Sequence, residues 1–186
     1  MGQAPSPTSK AQLRAAALAR RDGLSAETRT HAAQAMAAQI AQLPLPEGPL
    51  AFYWPIRSEA DPRPAIERLR LPLCLPSVST TGLCFRRWHV GDALVSSTFG
   101  LSEPAPDAEA VTPAALIIPL AAFDRRGHRI GYGKGFYDRA LAQLPNAITI
   151  GLGFATQEIA HVPDEAHDRA LNFVVTEREI IATGAR

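Results

Sequence analysis

Leu116-Ile-Ile-Pro-Leu-Ala-Ala-Phe123 is the most strand-like run in the chain, and the loop and helix after it decide the fold. Asp124-Arg-Arg-Gly-His-Arg-Ile-Gly-Tyr-Gly-Lys-Gly135 is a loop rich in charge and glycine; a helix is expected over 136–144 and a strand over 147–154. A short apolar run bounded by turn signals reads as a buried strand, and strands alternating with helices read as a layered α/β fold. Pro119 predicts a bulge or an edge within the first strand, because proline has no N–H to give to a sheet ladder.

The same alternation extends outward. Ser9-Lys-Ala-Gln12 is a capping box that opens a helix to about Arg21, which stops at Asp22-Gly23. An alanine-rich helix over 25–42 ends before Pro44, and Leu50-Ala-Phe-Tyr-Trp54 is a buried-strand pattern. Asp61-Pro62 supplies an N-cap and a proline at the first helical position, for a helix to about Arg70. Residues 73–75 read as a strand, while 83–88 and 93–98 read as a more polar, antiparallel excursion. Phe173-Val-Val-Thr176 is a last strand, and 177–182 a last helical turn or two.

Bulk properties narrow the class. A chain of 186 residues has room for one domain with a real core. With 46% hydrophobic and 20% charged residues and a net charge of +1, it carries neither the basic field of a nucleic-acid binder nor a membrane span. Cys74 and Cys84 lie in apolar surroundings without a CxxC or Cys/His grouping, which predicts buried thiols. Residues 1–9 are polar, rich in Pro and Ser, lack the apolar core of a signal peptide, and are expected to be flexible. A cytoplasmic protein with small-molecule partners, no nucleic-acid or membrane partner, and a monomeric state is the expectation.

Chemistry concentrates in the glycine loop. Gly131, Gly133 and Gly135 alternate between a strand and a helix, where glycine lets the backbone take positive φ and approach a ligand. The following helix offers free N–H groups and a positive dipole end, and Arg125, Arg129 and Lys134 add charge, so a phosphate chain is the natural guest. The loop is neither a Walker A nor a dinucleotide fingerprint, since Gly135 follows Lys134 and position 136 is Phe. Asp138 in the first helical turn is either a Mg²⁺ ligand beside phosphates or a residue that suits the helix dipole. Lys10 and Arg14, four apart, share a helix face that either grips phosphate or is solvated, the second being the commoner use, with Arg20 and Arg21 beyond them. Trp54 and Glu59 are suited to a polar heterocycle, the indole on its face and the carboxylate on its N–H groups, or else Trp54 belongs to the core. Asp61 is assigned to helix capping. His128 is expected to be exposed. His161 and His167 lack ligand spacing for zinc. No nucleophile–base grouping stands out, and no catalytic general base is identified.

Taken in order, Lys10-xxx-Arg14, Tyr53-Trp-Pro with Glu59, Phe99-Gly-Leu-Ser-Glu-Pro104 and Pro119-Leu-Ala-Ala-Phe-Asp124 resemble the 5-formyltetrahydrofolate cyclo-ligase family. Arg129-Ile-Gly-Tyr-Gly-Lys-Gly-Phe-Tyr-Asp138, Gly151-Leu-Gly-Phe154 with Gln157, Pro163 and His167-Asp168 continue the resemblance to about Thr176. The resemblance implies a single three-layer α/β/α domain with a mostly parallel, mixed central sheet over residues 1–186. It implies ATP binding by Lys10, Arg14, Arg129, Ile130, Gly131, Tyr132, Gly133, Lys134, Gly135, Phe136 and Tyr137. Folate contact is implied for Trp54, Glu59, Tyr132, Gly133, Lys134, Gly135 and Phe136. Mg²⁺ falls to Asp138, with Asn172 standing where the family often has a second, aspartate ligand; asparagine offers a carbonyl oxygen but no charge. The implied reaction is ATP- and Mg²⁺-dependent closure of 5-formyltetrahydrofolate to 5,10-methenyltetrahydrofolate through a phosphorylated formyl intermediate. The alternatives are a binding module that has lost the chemistry, and an ATP-dependent kinase or ligase for another heterocycle.

Overall fold

Parallel strands cannot be joined by tight turns, so the crossovers decide where helices lie. The computed structural model of the chain describes residues 9–79, 82–97, 100–133, 135–165 and 168–185. The Ser9 hydroxyl accepts from the Gln12 N–H while the Gln12 side chain accepts from the Ser9 N–H, the expected capping box at the head of α1 (Lys10–Asp22). Ser9 is thus tied down, and the rest of the segment expected to be flexible, residues 1–8, lies outside the described residues. Ser25 caps α2 (Ala26–Ile40), and β1 (Leu50–Ala51), α3 (Arg63–Ile66), β2 (Leu73–Ser79) and β3 (Gly82–Arg87) follow. Then come β4 (Val95–Ser96), β5 (Ser102–Glu103), β6 (Ala115–Pro119), β7 (Ala122–Phe123), β8 (Arg129–Ile130) and α4 (Phe136–Gln143). The chain closes with β9 (Ile148–Leu152), β10 (Phe173–Val175) and β11 (Ile180–Ala182).

Seven strands form one mixed sheet in the order β11-β10-β9-β6-β1-β2-β3. The inner pairings β1–β2, β1–β6, β6–β9 and β9–β10 are parallel, and the outermost ones, β2–β3 and β10–β11, are antiparallel. Alternation along the strands divides the core. Leu73, Leu75, Ile117 and Ile150 pack with Met36, Ile40 and Ile66 of α2 and α3, while Cys74, Leu116, Ile118 and Val174 pack with Ala140 and Leu141 of α4. Helices therefore cover both faces, which gives the expected three layers. Each fully buried Leu, Ile or Met contributes about 1.5–3 kcal/mol, so both layers are needed to hold the sheet.

Three local expectations are corrected. Residues 180–182 form a strand, not a helical turn: Thr176 N–H donates to Glu179 C=O, the Thr176 hydroxyl accepts from the Arg178 and Glu179 N–H groups, and this turn returns Ile181 against Val174. The helix expected to reach Arg70 is a single turn, because the chain must extend before Pro72 to enter β2. Pro119 sits in neither an edge strand nor a bulge but at the end of a central one. Leu120 N–H bonds Leu152 C=O on the β9 side, so the Pro119 nitrogen faces the side where β1 has already ended.

This topology also makes a site. From β1 the chain moves to β2 on one side, whereas β6 lies on the other and leads on to β9 and β10. Loops leaving the carboxyl ends of β1 and β6 part in opposite directions, and a crevice opens between them.

Candidate functional site

The crevice is a cleft of about 560 Å³ walled by Tyr53 and Trp54 after β1, Ile118 and Pro119 of β6, the glycine loop and α1. Lys10, Arg14, Ala17 and Arg21 lie at i, i+4, i+7 and i+11, a single stripe of α1. Ala17 is wholly buried and packs with Ala122, Ile130 and Val162, which lays α1 on the β7–β8 ribbon. The cations on either side of it then face the loop. Lys10 Nζ is 3.2 Å from Asp168 Oδ2, and Arg14 donates to the Gly131 C=O at 3.3 Å.

Asp124 anchors the ribbon. Its buried carboxylate accepts from the N–H groups of Arg126 (3.0 Å), His128 (3.2 Å) and Val162 (2.9 Å), fixing the turn between β7 and β8. Beyond β8, Gly133 (φ 89°) and Gly135 (φ 61°) hold left-handed conformations, and Gly135 is the N-cap of α4. A Cβ at Gly133 would stand 2.8 Å from an Arg14 guanidinium nitrogen, so the bare backbone is what admits that side chain. Asp138, in the first turn of α4, keeps 62% of its side chain exposed and is ion-paired with Arg129. Arg129 is largely buried, also donates to the Arg169 C=O at 3.1 Å, and has its pKa pulled down by that burial.

Across the cleft, Glu59 sits on the loop after β1, where Arg57 takes a positive φ of 53° and the Ile56 N–H donates to the Glu59 carboxylate at 3.0 Å. Tyr132 of the glycine loop lines the same cleft, its hydroxyl accepting from Arg21 at 2.6 Å. Burial pushes the Glu59 pKa above the usual carboxylate range, and burial together with the Glu59 charge pushes the Tyr132 hydroxyl up. Trp54 is half-buried, edge-on to Trp88 at 5.9 Å, with the Arg63 guanidinium 5.1 Å above its ring.

The cleft thus gathers Lys10, Arg14, Trp54, Glu59, Arg129, Ile130, Gly131, Tyr132, Gly133, Gly135, Phe136, Tyr137 and Asp138. Lys134 and His167 lie outside the described residues. Asn172 is not brought to the cleft. Its Oδ1 accepts from the Thr149 N–H (2.8 Å) and hydroxyl (2.9 Å) and its Nδ2 donates to Ala185 C=O, so it ties the strand beginnings opposite the carboxyl-end crevice. Arg125 does not join the phosphate region either: it is ion-paired with Glu158 and Glu179. His128 is half-buried rather than exposed, its Nε2 3.8 Å from Asp164. Asp61 caps as expected on the Arg63 N–H and also pairs with the Arg63 guanidinium. Cys74 is buried, its thiol pushed up to about 12 by burial, and Cys84 is half-buried.

Three features were not assigned roles from the sequence. Arg21, read as solvated charge, is buried; its place on the Lys10–Arg14 stripe was the available signal. Asp168 holds Lys10, and Pro76, Val78 and Leu83 of β2 and β3 give the cleft an apolar wall that only sheet pairing reveals. Among the described residues no three His, Cys, Asp or Glu side chains cluster to hold a metal, and no helix is long and apolar enough to cross a membrane.

Residues 6–177 match the family model described as the 5-formyltetrahydrofolate cyclo-ligase family. The chain is similar to the 5-formyltetrahydrofolate cyclo-ligase of Mycolicibacterium smegmatis, 31% identical over 95% of this chain and 98% of that protein. The Escherichia coli K12 protein of the same name is 34% identical over 70% of this chain and 79% of its own length. In structure the chain is similar to the NMR structure of 5,10-methenyltetrahydrofolate synthetase from Aquifex aeolicus (TM-score 0.83, 29% identity, 95% of this chain and 94% of that one). The fold is also that of the 5,10-methenyltetrahydrofolate synthetase from Mycoplasma pneumoniae (TM-score 0.72, 23% identity, 90% and 98% covered).

Proposed function

The chain belongs to the 5-formyltetrahydrofolate cyclo-ligase family and is a ligase of that kind, and from this premise we propose that it closes 5-formyltetrahydrofolate to 5,10-methenyltetrahydrofolate at the expense of ATP. One observation carries the reading: a single cleft faces the cation stripe of α1 and the glycine loop on one side and Trp54 with Glu59 on the other. Phosphates and a polar heterocycle would meet across it.

The chemistry asks for that meeting. An N5-formyl group is an amide, so its carbon is a poor electrophile and its oxygen a poor leaving group. Transfer of the γ-phosphoryl of ATP to the formyl oxygen, with release of ADP, makes that oxygen part of a leaving phosphate. N10 then attacks the formyl carbon and gives up its proton, the new C–N bond forms as the C–O bond breaks, and inorganic phosphate departs, that proton going to the phosphate or to water. Lys10, Arg14, Arg129 and the amides around Gly133 and Gly135 are assigned to the phosphates, and Glu59 to the N–H groups of the pterin. Holding two reactants in line and neutralising transferred charge is what phosphoryl transfer requires of a protein. No covalent nucleophile is needed.

Magnesium fits the donor set through Asp138, which presents an exposed carboxylate to the cleft; this cation commonly takes one or two carboxylates and completes its shell with phosphate oxygens and water. When bound it would spread the charge of the β- and γ-phosphates. Asn172 is not a candidate in this arrangement.

The test is growth of methenyl absorbance from 5-formyltetrahydrofolate and Mg²⁺ with and without ATP. Product should form only with ATP, and Asp138→Ala, still folded by circular dichroism, should raise the Mg²⁺ concentration needed or abolish turnover. A wild type that binds ATP and makes no methenyl product would refute the proposal and leave the glycine loop serving another heterocycle.

A further inference from the structure

Arg21 is the third cation on the stripe of α1 that carries Lys10 and Arg14, yet it is engaged elsewhere. Its side chain is 3% exposed and donates to the Tyr132 hydroxyl at 2.6 Å. The same guanidinium donates to Asp22 at 3.1 and 3.2 Å, and Asp22 accepts from the hydroxyl of Ser58, the residue before Glu59. An arginine stays protonated and can only donate, so the Tyr132 oxygen accepts from Arg21, while the Asp22 carboxylate accepts both from Arg21 and from the Ser58 hydroxyl. Hydrogen bonds therefore link three segments remote in sequence: the end of α1, the glycine loop, and the loop after β1.

Tyr132 as a residue is 40% exposed at the cleft, yet its hydroxyl is held by the buried Arg21 guanidinium. Tyr132 stands between Gly131 and Gly133, in the stretch assigned to the phosphates, while Asp22 holds Ser58, next to the carboxylate assigned to the pterin. Whatever stills the loop also stills Glu59.

We propose that Arg21 is a positioning residue which, through Tyr132 on one side and Asp22 with Ser58 on the other, couples the nucleotide loop to the loop that carries Glu59, so that ATP and folate each bind more tightly once the other is in place. The proposal rests on the cyclo-ligase reading. Such coupling is a free energy shared by both sites and must be the same in either order of addition.

Calorimetric titration of a non-hydrolysable ATP analogue, with Mg²⁺ and with or without 5-methyltetrahydrofolate, reads it directly without turnover. Wild type should bind the analogue about five-fold or more tightly when the folate is present, and the folate by the same factor when the analogue is present. Tyr132→Phe keeps the ring and removes the hydroxyl; whatever each ligand's affinity alone, the factor between the two states should fall to near one. Arg21→Lys keeps the charge but replaces the guanidinium fork that reaches Tyr132 and Asp22 together, and should lose the factor as well. A merely structural Arg21 would weaken both ligands alone and leave their ratio unchanged. Retention of the factor in both variants, or its absence in a wild type that binds both ligands, overturns the proposal alone. A wild type that binds the nucleotide analogue and no folate overturns the cyclo-ligase reading and the coupling with it.

Discussion

Replacing Gly133 by alanine probes the point where the glycine loop meets α1. The backbone there has φ 89°, outside the region open to residues with a Cβ, and holding alanine in left-handed geometry costs roughly 1–2 kcal/mol. For a chain of this size about 2–4 °C of melting temperature is lost per kcal/mol, so a fall of about 2–8 °C is expected. The new Cβ would also lie 2.8 Å from an Arg14 nitrogen and 3.8 Å from its Cζ. That contact is relieved by swinging the guanidinium away, which gives up its 3.3 Å bond to Gly131 and its place at the phosphates. A hydrogen bond to a charged group is worth about 1.5–3 kcal/mol, so affinity for an ATP analogue should drop roughly 10- to 150-fold. A thermodynamic cycle with Arg14→Ala is the decisive assay. If the methyl acts through Arg14, Gly133→Ala should cost little further affinity once Arg14 is already alanine. An equal loss in both backgrounds would refute the reasoning and place the effect in the loop's own amides.

Three further outcomes are expected. Asn172→Ala removes bonds to Thr149 and Ala185, leaving buried Thr149 short of a partner at about 1–3 kcal/mol, so the melting temperature should fall while the Mg²⁺ dependence of turnover stays put; a many-fold shift in that dependence would contradict the structural role. Glu59 has a raised pKa, so folate binding should weaken as pH falls, starting above the ordinary carboxylate range, whereas ATP-analogue binding alone should not follow. Because the folded state holds that proton more tightly than the unfolded chain, the contribution of Glu59 to stability is greatest in acid and is lost as pH rises through its folded pKa. Glu59→Gln should therefore be relatively more stable near neutral pH than in acid, a difference that melting curves across the pH range would show.

Local chemistry alone made much of this molecule legible. The Ser9 capping box, the run before Pro119, the glycines between a strand and a helix, and the face shared by Lys10 and Arg14 each depend on neighbours within a few residues. Where the outcome depended on remote partners, the sequence did not decide it. Residues 177–182 have enough length for a helical turn, and only the vacant edge of β10 makes them a strand. The ordered set of motifs leads to the expectation that Asn172 stands at a metal ligand's position, but chain crossing puts it at the strand beginnings, away from the carboxyl-end crevice. Arg125 and Arg129 look alike as charges beside a glycine loop. The ribbon held by Asp124 sends one to Glu158 and Glu179 and the other to Asp138. Arg21 is the sharpest case. Helical periodicity already put it on the stripe with Lys10 and Arg14, yet its burial and its bond to Tyr132 exist only because Ala17 lets α1 lie close on the β7–β8 ribbon. Periodicity fixes the direction in which a side chain points; what it meets there is set by the packing of segments distant in the chain.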